Sequence, residues 1–124
     1  QKPCLRQVHP ESSHHNKMEM KNSTVWMLGL KTEGDRPALV AENSAVEICG
    51  AFIYANTRTE KHPLFIVRDT DFSVTMGESS FRSKPHRKLV VETRGATTKT
   101  QGRDGVPNRG AGRMFPLYVG RGRP

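Results

Sequence analysis

The hydrophobic residues of this chain occur in short runs, and a residue that favours turns closes almost every run. Most of these runs lie in the stretch Thr24–Glu78. Ala45–Ile48 shows the alternation of apolar and polar side chains that is typical of a half-buried strand, and no part of the stretch has a convincing helical period. The pattern therefore predicts an all-β chain built from short strands.

The predicted strands are β-branched or aromatic runs bounded by Gly, Pro, Asn, Asp or Ser, which are the usual turn residues. They are Cys4–Val8, Met18–Met20, Val25–Leu28, Leu30–Thr32, Ala38–Ala41, Ala45–Ile48, Ala51–Tyr54, Leu64–Val67, Asp71–Thr75 and Leu89–Thr93. The polar segment Ser79–His86 is expected to be a loop.

Two of the runs resemble each other. Val40–Ile48 lies over Ile66–Val74 at an offset of 26 positions, with apolar residues matching apolar residues and turn residues matching turn residues. Gly29, Gly50 and Gly77 each follow a strand-like run. A repeat of this length that contains several strands and no helix predicts a short parallel β-helix, in which each coil stacks on the last. The alternative is an antiparallel β-sandwich with a chance internal match.

A change in composition divides the chain near Arg94. Residues 1–93 are expected to form the coils, whereas residues 94–124 are rich in Gly, Arg, Thr and Asn and are expected to be an irregular tail. Within that tail, residues 114–119 are apolar, and we expect them to dock on the coils.

The positive charge of the chain is concentrated at its C-terminal end. The net charge is +8, and residues 82–124 hold eleven of the twenty Lys and Arg residues but only two of the twelve Asp and Glu residues. Such a segment attracts polyanions or acidic surfaces. The residues expected to contact a polyanion or a neighbouring subunit are Arg103, Arg109, Arg113, Arg121 and Arg123.

Length and composition set further bounds. A chain of 124 residues with 34% hydrophobic residues has room for one domain with a narrow core. No apolar run approaches the roughly 18–20 residues of a membrane-spanning helix. The chain begins at Gln1 and not at Met, so we expect a processed chain or a part of a longer one.

Few residues suggest chemistry. Asp69 and Asp71 are candidate catalytic residues, because polysaccharide hydrolases use two carboxylates roughly 5–9.5 Å apart. The alternative is that Asp69-Thr70-Asp71 makes a turn. Trp26 and Tyr54 are candidates for stacking against a sugar, but Trp26 lies in an apolar strand and is expected to belong to the core.

The cysteines and histidines predict no metal site and no cofactor. Cys4 and Cys49 have no CxxC spacing, and Cys49 is expected to be a buried small hydrophobe that can alternatively pair with Cys4 in an oxidising compartment. The histidines show no metal-binding spacing and are expected to be exposed in loops. They are His9, His14, His15, His62 and His86.

Three segments, NSTVWMLGLKTEG at Asn22–Gly34, PALVAENSAVEICGAFIYA at Pro37–Ala55 and PLFIVRDTDFSVTMGES at Pro63–Ser79, resemble the C-terminal coils of the pectate-lyase-like right-handed β-helix family, which is related to glycoside hydrolase family 28. The segment from VVETRG to FPLYVG resembles the closing part of such proteins. The resemblance implies secretion and a groove for carbohydrate, but no catalytic motif of the family can be matched here.

The preferred hypothesis is a secreted, non-enzymatic β-helical structural protein that associates with other copies of itself or packs on upstream coils. A filament subunit is one form of it, because both ends of a short stack are expected to expose strand edges. The alternatives are the C-terminal part of a polysaccharide lyase or hydrolase, with acidic polysaccharide as partner, and polyanion or nucleic-acid binding through residues 82–124. Nucleic acid ranks last.

Overall fold

The structure is a computed structural model that describes residues 3–56, 61–79, 86–104, 108–109 and 112–120, with the backbone alone for 108–109 and 112–117. The described residues form strands joined by turns and loops. The strands are β1 (Cys4–Val8), β2 (Glu19–Lys21), β3 (Thr24–Glu33), β4 (Leu39–Glu42), β5 (Ala45–Tyr54), β6 (Phe65–Arg68), β7 (Asp71–Ser79), β8 (Lys88–Arg94), β9 (Thr97–Gly102), β10 (Asn108–Arg109) and β11 (Gly112–Gly120). In this part of the chain there is no helix that is long and apolar enough to cross a membrane.

The strands form two sheets, and the chain passes from one to the other in each turn. Sheet A has the order β1-β3-β5-β7-β11-β10, and sheet B has the order β2-β4-β6-β8-β9. The pairs from β1 to β7 and from β2 to β8 are all parallel. This is a β-solenoid of about three turns, as the repeat predicts, and not an antiparallel sandwich.

The register confirms the offset of 26 between the second and third coils, since Ala45 pairs with Asp71 and Val46 with Phe72. The three glycines that follow strand-like runs do not all occupy the same rung position. Gly29 and Gly50 share a rung, because the residues on either side of them are paired, and both have positive φ (82° and 75°). Gly77 pairs instead with Phe52.

The core lies between the inward faces of the two sheets. Alternate residues of each strand point inward because the side-chain period of a strand is two. The inward side chains of successive coils stack in columns, and Phe65 of sheet B meets Phe72 of sheet A with ring centroids 5.3 Å apart. Met27, Ile48 and Val74 form one such column, and each is at most 1% exposed.

The corner between sheet B and sheet A repeats in every coil. Asn22, Asn43 and Asp69 stand there, with φ of 51°, 47° and 44°, and Gly95, with φ of 52°, stacks on Asp69 from the turn between β8 and β9. Asn and Asp tolerate this left-handed conformation better than other residues with a side chain. The amide of Asn43 donates to Oδ1 of Asn22 at 2.7 Å, and the N–H of Gly95 donates to Oδ1 of Asp69 at 2.8 Å. The corner is thus a ladder of polar groups.

The segment after Arg94 is more regular than its composition predicts. β9 folds back antiparallel on β8, and β11, which contains the apolar segment 114–119, lies antiparallel on β7. Main-chain hydrogen bonds to an existing sheet edge need no apolar side chains, and Thr favours strands, so a Gly- and Thr-rich segment can still pair. The boundary at residue 93 between coils and tail stays a prediction.

Candidate assembly surface and outer face of sheet A

Among the described residues, no coil covers the N-terminal side of the stack. β1 is the edge strand of sheet A, and β2 is the edge strand of sheet B. Leu5 occupies the same inward column as Met27, yet it is 37% exposed, whereas Met27 is completely buried. The difference arises because no further rung covers Leu5 among the described residues. The column of apolar side chains therefore ends at a surface.

The backbone at this end has groups that point away from the stack. The N–H of Trp26 donates to the carbonyl of Pro3, and in a parallel ladder this pattern directs the N–H and C=O groups of Cys4 and Arg6 to the open side. In β2, the N–H of Val40 donates to the carbonyl of Met18. The same alternation directs the groups of the residues flanking Met20 outward. Both edges are templates for strand pairing.

The C-terminal end is closed by polar side chains. Glu78 is the last inward residue of β7, at the position that Ile53 fills one coil earlier, and it is 2% exposed. The guanidinium of Arg103 binds its Oε2, and the backbone N–H of His86 donates to its Oε1 at 3.0 Å. Arg103 also donates to the carbonyl of His86 at 3.2 Å. These bonds satisfy a buried charge that would otherwise be costly.

A second buried carboxyl group closes sheet B. Glu92 takes the inward position that Val67 fills one coil earlier. It accepts hydrogen bonds from the hydroxyl of Tyr118 and from Nε of Arg94. Burial, followed by the contact with Glu92, raises the pKa of Tyr118. A Cβ placed on Gly120 would come within 2.6–2.8 Å of the Glu92 carboxyl group, so only glycine fits there without a shift.

The two ends therefore differ, which corrects the expectation that both are open. At one end an apolar column reaches the surface beside the edge strands β1 and β2, and at the other end β9 and β11 cover the last coil, with β9 and β10 as the edge strands. The sequence indicated only that residues 114–119 dock on the coils; it did not indicate the antiparallel strands β9 and β11, because both come from the Gly- and Arg-rich segment.

His86 is completely buried, contrary to its expected exposure in a loop. Its Nδ1 lies 3.1 Å from the carbonyl of His62, and its Nε2 has no hydrogen-bond partner within the described residues. Burial lowers the pKa of the imidazole, and Lys17 adds to this effect, while Glu78 opposes it. Burial also lowers the pKa of Lys17, to about 8, and its ammonium group donates to the carbonyl of Gly34 at 3.3 Å.

The outer face of sheet A carries exposed apolar side chains. Trp26 is 50% exposed, so its expected place in the core is wrong. Its indole borders a shallow cavity of about 160 Å³ that is also lined by Glu47, Asp71 and Ser73. The other large apolar side chains that emerge from the strands of this sheet onto its surface are Leu28, Phe52 and Val119.

Trp26 and Tyr54 do not form a single platform. Trp26 pairs with Glu47 near the start of β5, whereas Tyr54 pairs with Glu33 at the other end of the same strands. The ring of Tyr54 stacks instead on Phe52, with centroids 6.5 Å apart and planes at 15°. Any sugar that stacks on these residues would meet two separate aromatic sites.

The two candidate carboxylates occupy different environments. Asp69 stands in the corner ladder, where it accepts the N–H of Gly95, so it has the turn role that the sequence offered as the alternative. Asp71 begins β7 on the outer face, with Nη1 of Arg94 3.9 Å from its Oδ1. Of the two, Asp71 lies at the cavity beside Trp26.

Of the five candidate arginines, Arg103 has its side chain in the cap, where it is 16% exposed. Arg109 and Arg113 lie in β10 and β11, where the structure gives the backbone alone, and they pair with Gly112 and Glu78 along the sheet. Arg121 and Arg123 lie outside the described residues.

Both cysteines are free and exposed, so Cys49 is not the buried residue that was expected. It lies on the outer face of β5, 3.6 Å from Oε1 of Glu47. Partial desolvation on this face, followed by the neighbouring Glu47, raises the pKa of its thiol.

One cluster has the residue types of a metal site. The ligand atoms of His9, Glu11 and Glu33 lie within 4.8 Å of one another. The ammonium group of Lys31 already sits among them, 2.6 Å from Glu33 and 3.1 Å from His9. Its hydrogen bond lowers the pKa of Glu33. The cluster is therefore an ion-pair network on the surface, and sequence spacing could not show it because Glu33 comes from the following coil.

Comparisons with known proteins give no relative for this chain: no family model, no curated protein and no solved structure matches it. The resemblance to pectate-lyase-like proteins thus rests on the quoted segments and the solenoid fold.

Proposed function

We propose that the chain is a non-enzymatic structural module that joins a β-solenoid assembly through its open end. The observation that carries this proposal is the difference between the two ends of the stack. Each end has two edge strands, but the C-terminal end has buried, hydrogen-bonded carboxyl groups, whereas the N-terminal end has the exposed Leu5. Unpaired edges beside an apolar surface favour association with another strand.

Secretion, a relationship to the pectate-lyase-like family and contact of the basic C-terminal segment with polyanions belong to the same proposal. They follow from the sequence: the quoted segments support the first two, and the eleven Lys and Arg residues in 82–124 support the third.

The proposal is tested by replacing Arg6 with Pro. Proline removes the outward N–H of Arg6 from the open edge and leaves the hydrogen bonds of Leu5 to β3 in place. In sedimentation velocity at micromolar concentrations, we expect the natural chain to associate and Arg6→Pro to be monomeric with an unchanged circular dichroism spectrum. Arg6→Lys is the control and should associate normally. A natural chain that stays monomeric would refute the proposal.

A second variant tests the same surface independently, in case Arg6→Pro does not fold. Leu5→Lys places an ammonium group at the exposed end of the inward column, where an inward-pointing charge opposes edge pairing. It should also abolish association. Association that survives both variants would show that the open end is not the contact surface.

The exposed indole of Trp26 favours glycan binding as a second candidate function. An aromatic face beside carboxyl and hydroxyl groups, here Glu47, Asp71 and Ser73, has the composition of a sugar site. Trp26 is the single tryptophan of the chain, so its fluorescence reports binding directly. Titration with pectin and related glycans should change the fluorescence emission of Trp26 in the natural chain. The Phe52→Ala variant is the matched control, because it keeps Trp26 and should show the same change. No change would remove this candidate.

An activity assay distinguishes the enzymatic alternative from the structural proposal. If the chain cleaves polysaccharide, new reducing ends or unsaturated products appear with pectin or related glycans and are lost in Asp71→Asn and Asp69→Asn. The structural proposal predicts neither product.

A further inference from the structure

We propose that the shallow cavity beside Trp26 is a guanidinium site and that the side chain of Arg121 of the same chain fills it. This inference goes beyond the proposed function, because it concerns the outer face of sheet A and neither end of the stack. Arg121 follows directly on Gly120, the last described residue of β11. It lies outside the described residues, and its place in the cavity is inferred from the strand register that leads to it.

The cavity forms where a small outward side chain is surrounded by larger ones. Ala45 begins β5 on the outer face, and its paired neighbours are Thr24 in β3 and Asp71 in β7. The next outward row of the same three strands consists of Trp26, Glu47 and Ser73. Ala45 is therefore the floor of a cavity of about 160 Å³, and its walls carry an indole, two carboxyl groups and two hydroxyl groups.

The charge of the cavity favours a cation. Glu47 and Asp71 supply two carboxyl groups. Nη1 of Arg94 lies 3.9 Å from Oδ1 of Asp71, but Nε of the same guanidinium donates to the carboxyl group of Glu92, so one positive charge serves two carboxyl groups there. An acidic polysaccharide would meet like charges in this cavity, whereas a guanidinium group would meet opposite ones. A planar guanidinium also stacks on an indole, so arginine fits better than lysine.

The register of β11 leads the chain to this cavity. Gly120 pairs antiparallel with Phe72, so the next residue of the strand, Arg121, comes opposite Asp71. Gly120 is buried, and successive side chains point to opposite faces, so residue 121 faces outward on the same side as Asp71. Opposite charges that face each other across two strands stabilise the pair. Because neighbouring strands are only about 4.8 Å apart, the long arginine side chain reaches past Asp71 and over Ala45.

Contacts at Gly120 fix this register. A Cβ at that position would lie 2.6–2.8 Å from the carboxyl group of Glu92, so the backbone of β11 packs directly on this group. Two residues earlier, the hydroxyl of Tyr118 donates to the same carboxyl group. A slip of one residue would exchange the two faces of the strand and turn the side chain of Val119 inward onto Glu92. The row that follows Gly120 is therefore determined by contacts within the described residues.

The fluorescence of Trp26, the single tryptophan of the chain, tests the site. If the guanidinium group of Arg121 lies on the indole, Arg121→Ala should uncover more of the ring and raise its acrylamide quenching constant, with an unchanged circular dichroism spectrum. Arg123→Ala is the matched control, because it removes the same charge two residues further along the chain from the cavity, and it should leave quenching unchanged. Arg121→Lys keeps the charge but has no planar group, so its quenching should lie between those of the natural chain and Arg121→Ala.

A double-mutant cycle tests the partner of Arg121. The folding equilibrium constant is measured by urea titration for the natural chain, Arg121→Ala, Asp71→Asn and the double variant. Direct pairing predicts that the loss caused by Arg121→Ala is about 1.4- to 5-fold smaller in the Asp71→Asn background, which is the range of cross-strand pairs. The same cycle with Arg123→Ala is the control, and its two effects should be additive.

The outcomes separate a guanidinium site from a glycan site. Increased quenching in Arg121→Ala alone, together with coupling to Asp71, supports the inference. Unchanged quenching in Arg121→Ala, or equal increases in the two alanine variants, would overturn it. A change of Trp26 emission with pectin that is the same in the natural chain and in Arg121→Ala would also overturn it and assign the cavity to the second candidate function. Association through β1 and β2 is measured separately by sedimentation and does not depend on any of these results.

Discussion

The hydroxyl of Tyr118 donates a hydrogen bond to the buried carboxyl group of Glu92, and this contact closes the solenoid. Tyr118 lies in β11, which pairs with β7 in sheet A, and Glu92 lies in β8, the last parallel strand of sheet B. Glu92 stands where the preceding coils have Val67 and Ala41. An apolar column thus ends in a carboxyl group that accepts hydrogen bonds from Tyr118 of the closing segment and from Arg94.

Removing that hydroxyl should weaken the cap. Tyr118→Phe keeps the ring but takes one donor from the buried carboxyl group of Glu92. We expect the free energy of unfolding to fall by about 1–3 kcal/mol in urea titrations, the cost of leaving a buried polar group unsatisfied. Tyr54→Phe is the control, because Tyr54 is half-buried on the outer face; its cost should stay below about 0.5 kcal/mol. Equal losses in the two variants would contradict the role of Tyr118.

A methyl group at position 120 should disturb the same contact by sterics alone. In Gly120→Ala the added Cβ would lie 2.6 Å from Oε2 of Glu92, whose carboxyl group is held by Tyr118 and Arg94. We expect a loss of about 1–3 kcal/mol in the same titrations, as for overpacking in a core. Gly102→Ala is the matched control, since its Cβ would meet only the carbonyl of Arg87, at 3.4 Å. A smaller loss at position 120 than at position 102 would show that Glu92 moves freely.

The strands and their stacking could be predicted from sequence because both depend on local patterns. Alternation in Ala45–Ile48 and its match to Asp71–Val74 fix which residues face inward and which coil lies above. The cap could be predicted only as docking of residues 114–119, because its strands β9 and β11 pair antiparallel and come from a segment whose overall composition does not indicate strands. Main-chain bonding of this kind leaves little trace in side-chain patterns.

The side on which Trp26 lies is set by its rung and not by its own strand. Val25, Trp26, Met27 and Leu28 are all apolar, so their own alternation does not say which residues face inward. The paired residue of the next coil decides the orientation. Trp26 pairs with Glu47, and the alternation of β5 places Glu47 on the outer face. A comparison of paired residues in successive coils therefore predicts that Trp26 lies on the outer face, whereas its own strand alone does not.

The corner ladder makes a prediction about backbone conformation. Asn43 has φ of 47° and donates to Asn22, so Asn43→Ala loses a hydrogen bond and strains the backbone. We expect it to cost about 1–2 kcal/mol more than Asn43→Gly, which loses the same bond without the steric penalty of a Cβ. Thermal and urea unfolding of the two variants measure the difference. Equal stability would mean that the corner adopts another conformation in the Ala variant.

The thiols should report the exposure of both cysteines. Because Cys4 and Cys49 are free and exposed, both should react with Ellman's reagent in the native protein without denaturant. Cys49 should react more slowly near pH 8 than a thiol with the ordinary pKa of cysteine. Partial desolvation and Glu47 raise the pKa of Cys49, which lowers its thiolate fraction. Single variants with Ser at either position assign the two rates. A native protein that releases no colour until it is reduced would show that the cysteines are paired.

Buried His86 predicts that the fold loses stability in mild acid. Burial lowers the pKa of His86 below the value of about 6.5 that histidine has in an unfolded chain. As the pH falls through that value, the unfolded chain binds a proton that the folded chain does not, so the free energy of unfolding decreases. The stability that is present above about pH 6.5 is lost toward the folded pKa, with a slope of at most about 1.4 kcal/mol per pH unit.

The slope is measured by urea titrations between about pH 7.5 and 5.5, a window above the usual carboxyl pKa values. His86→Gln should flatten the pH dependence even if it lowers stability at every pH, because the readout is the slope. His14→Gln is the matched control, since His14 is exposed and should leave the slope unchanged. If His86→Gln retains the full slope of the natural chain, the acid sensitivity does not arise from the buried imidazole of His86.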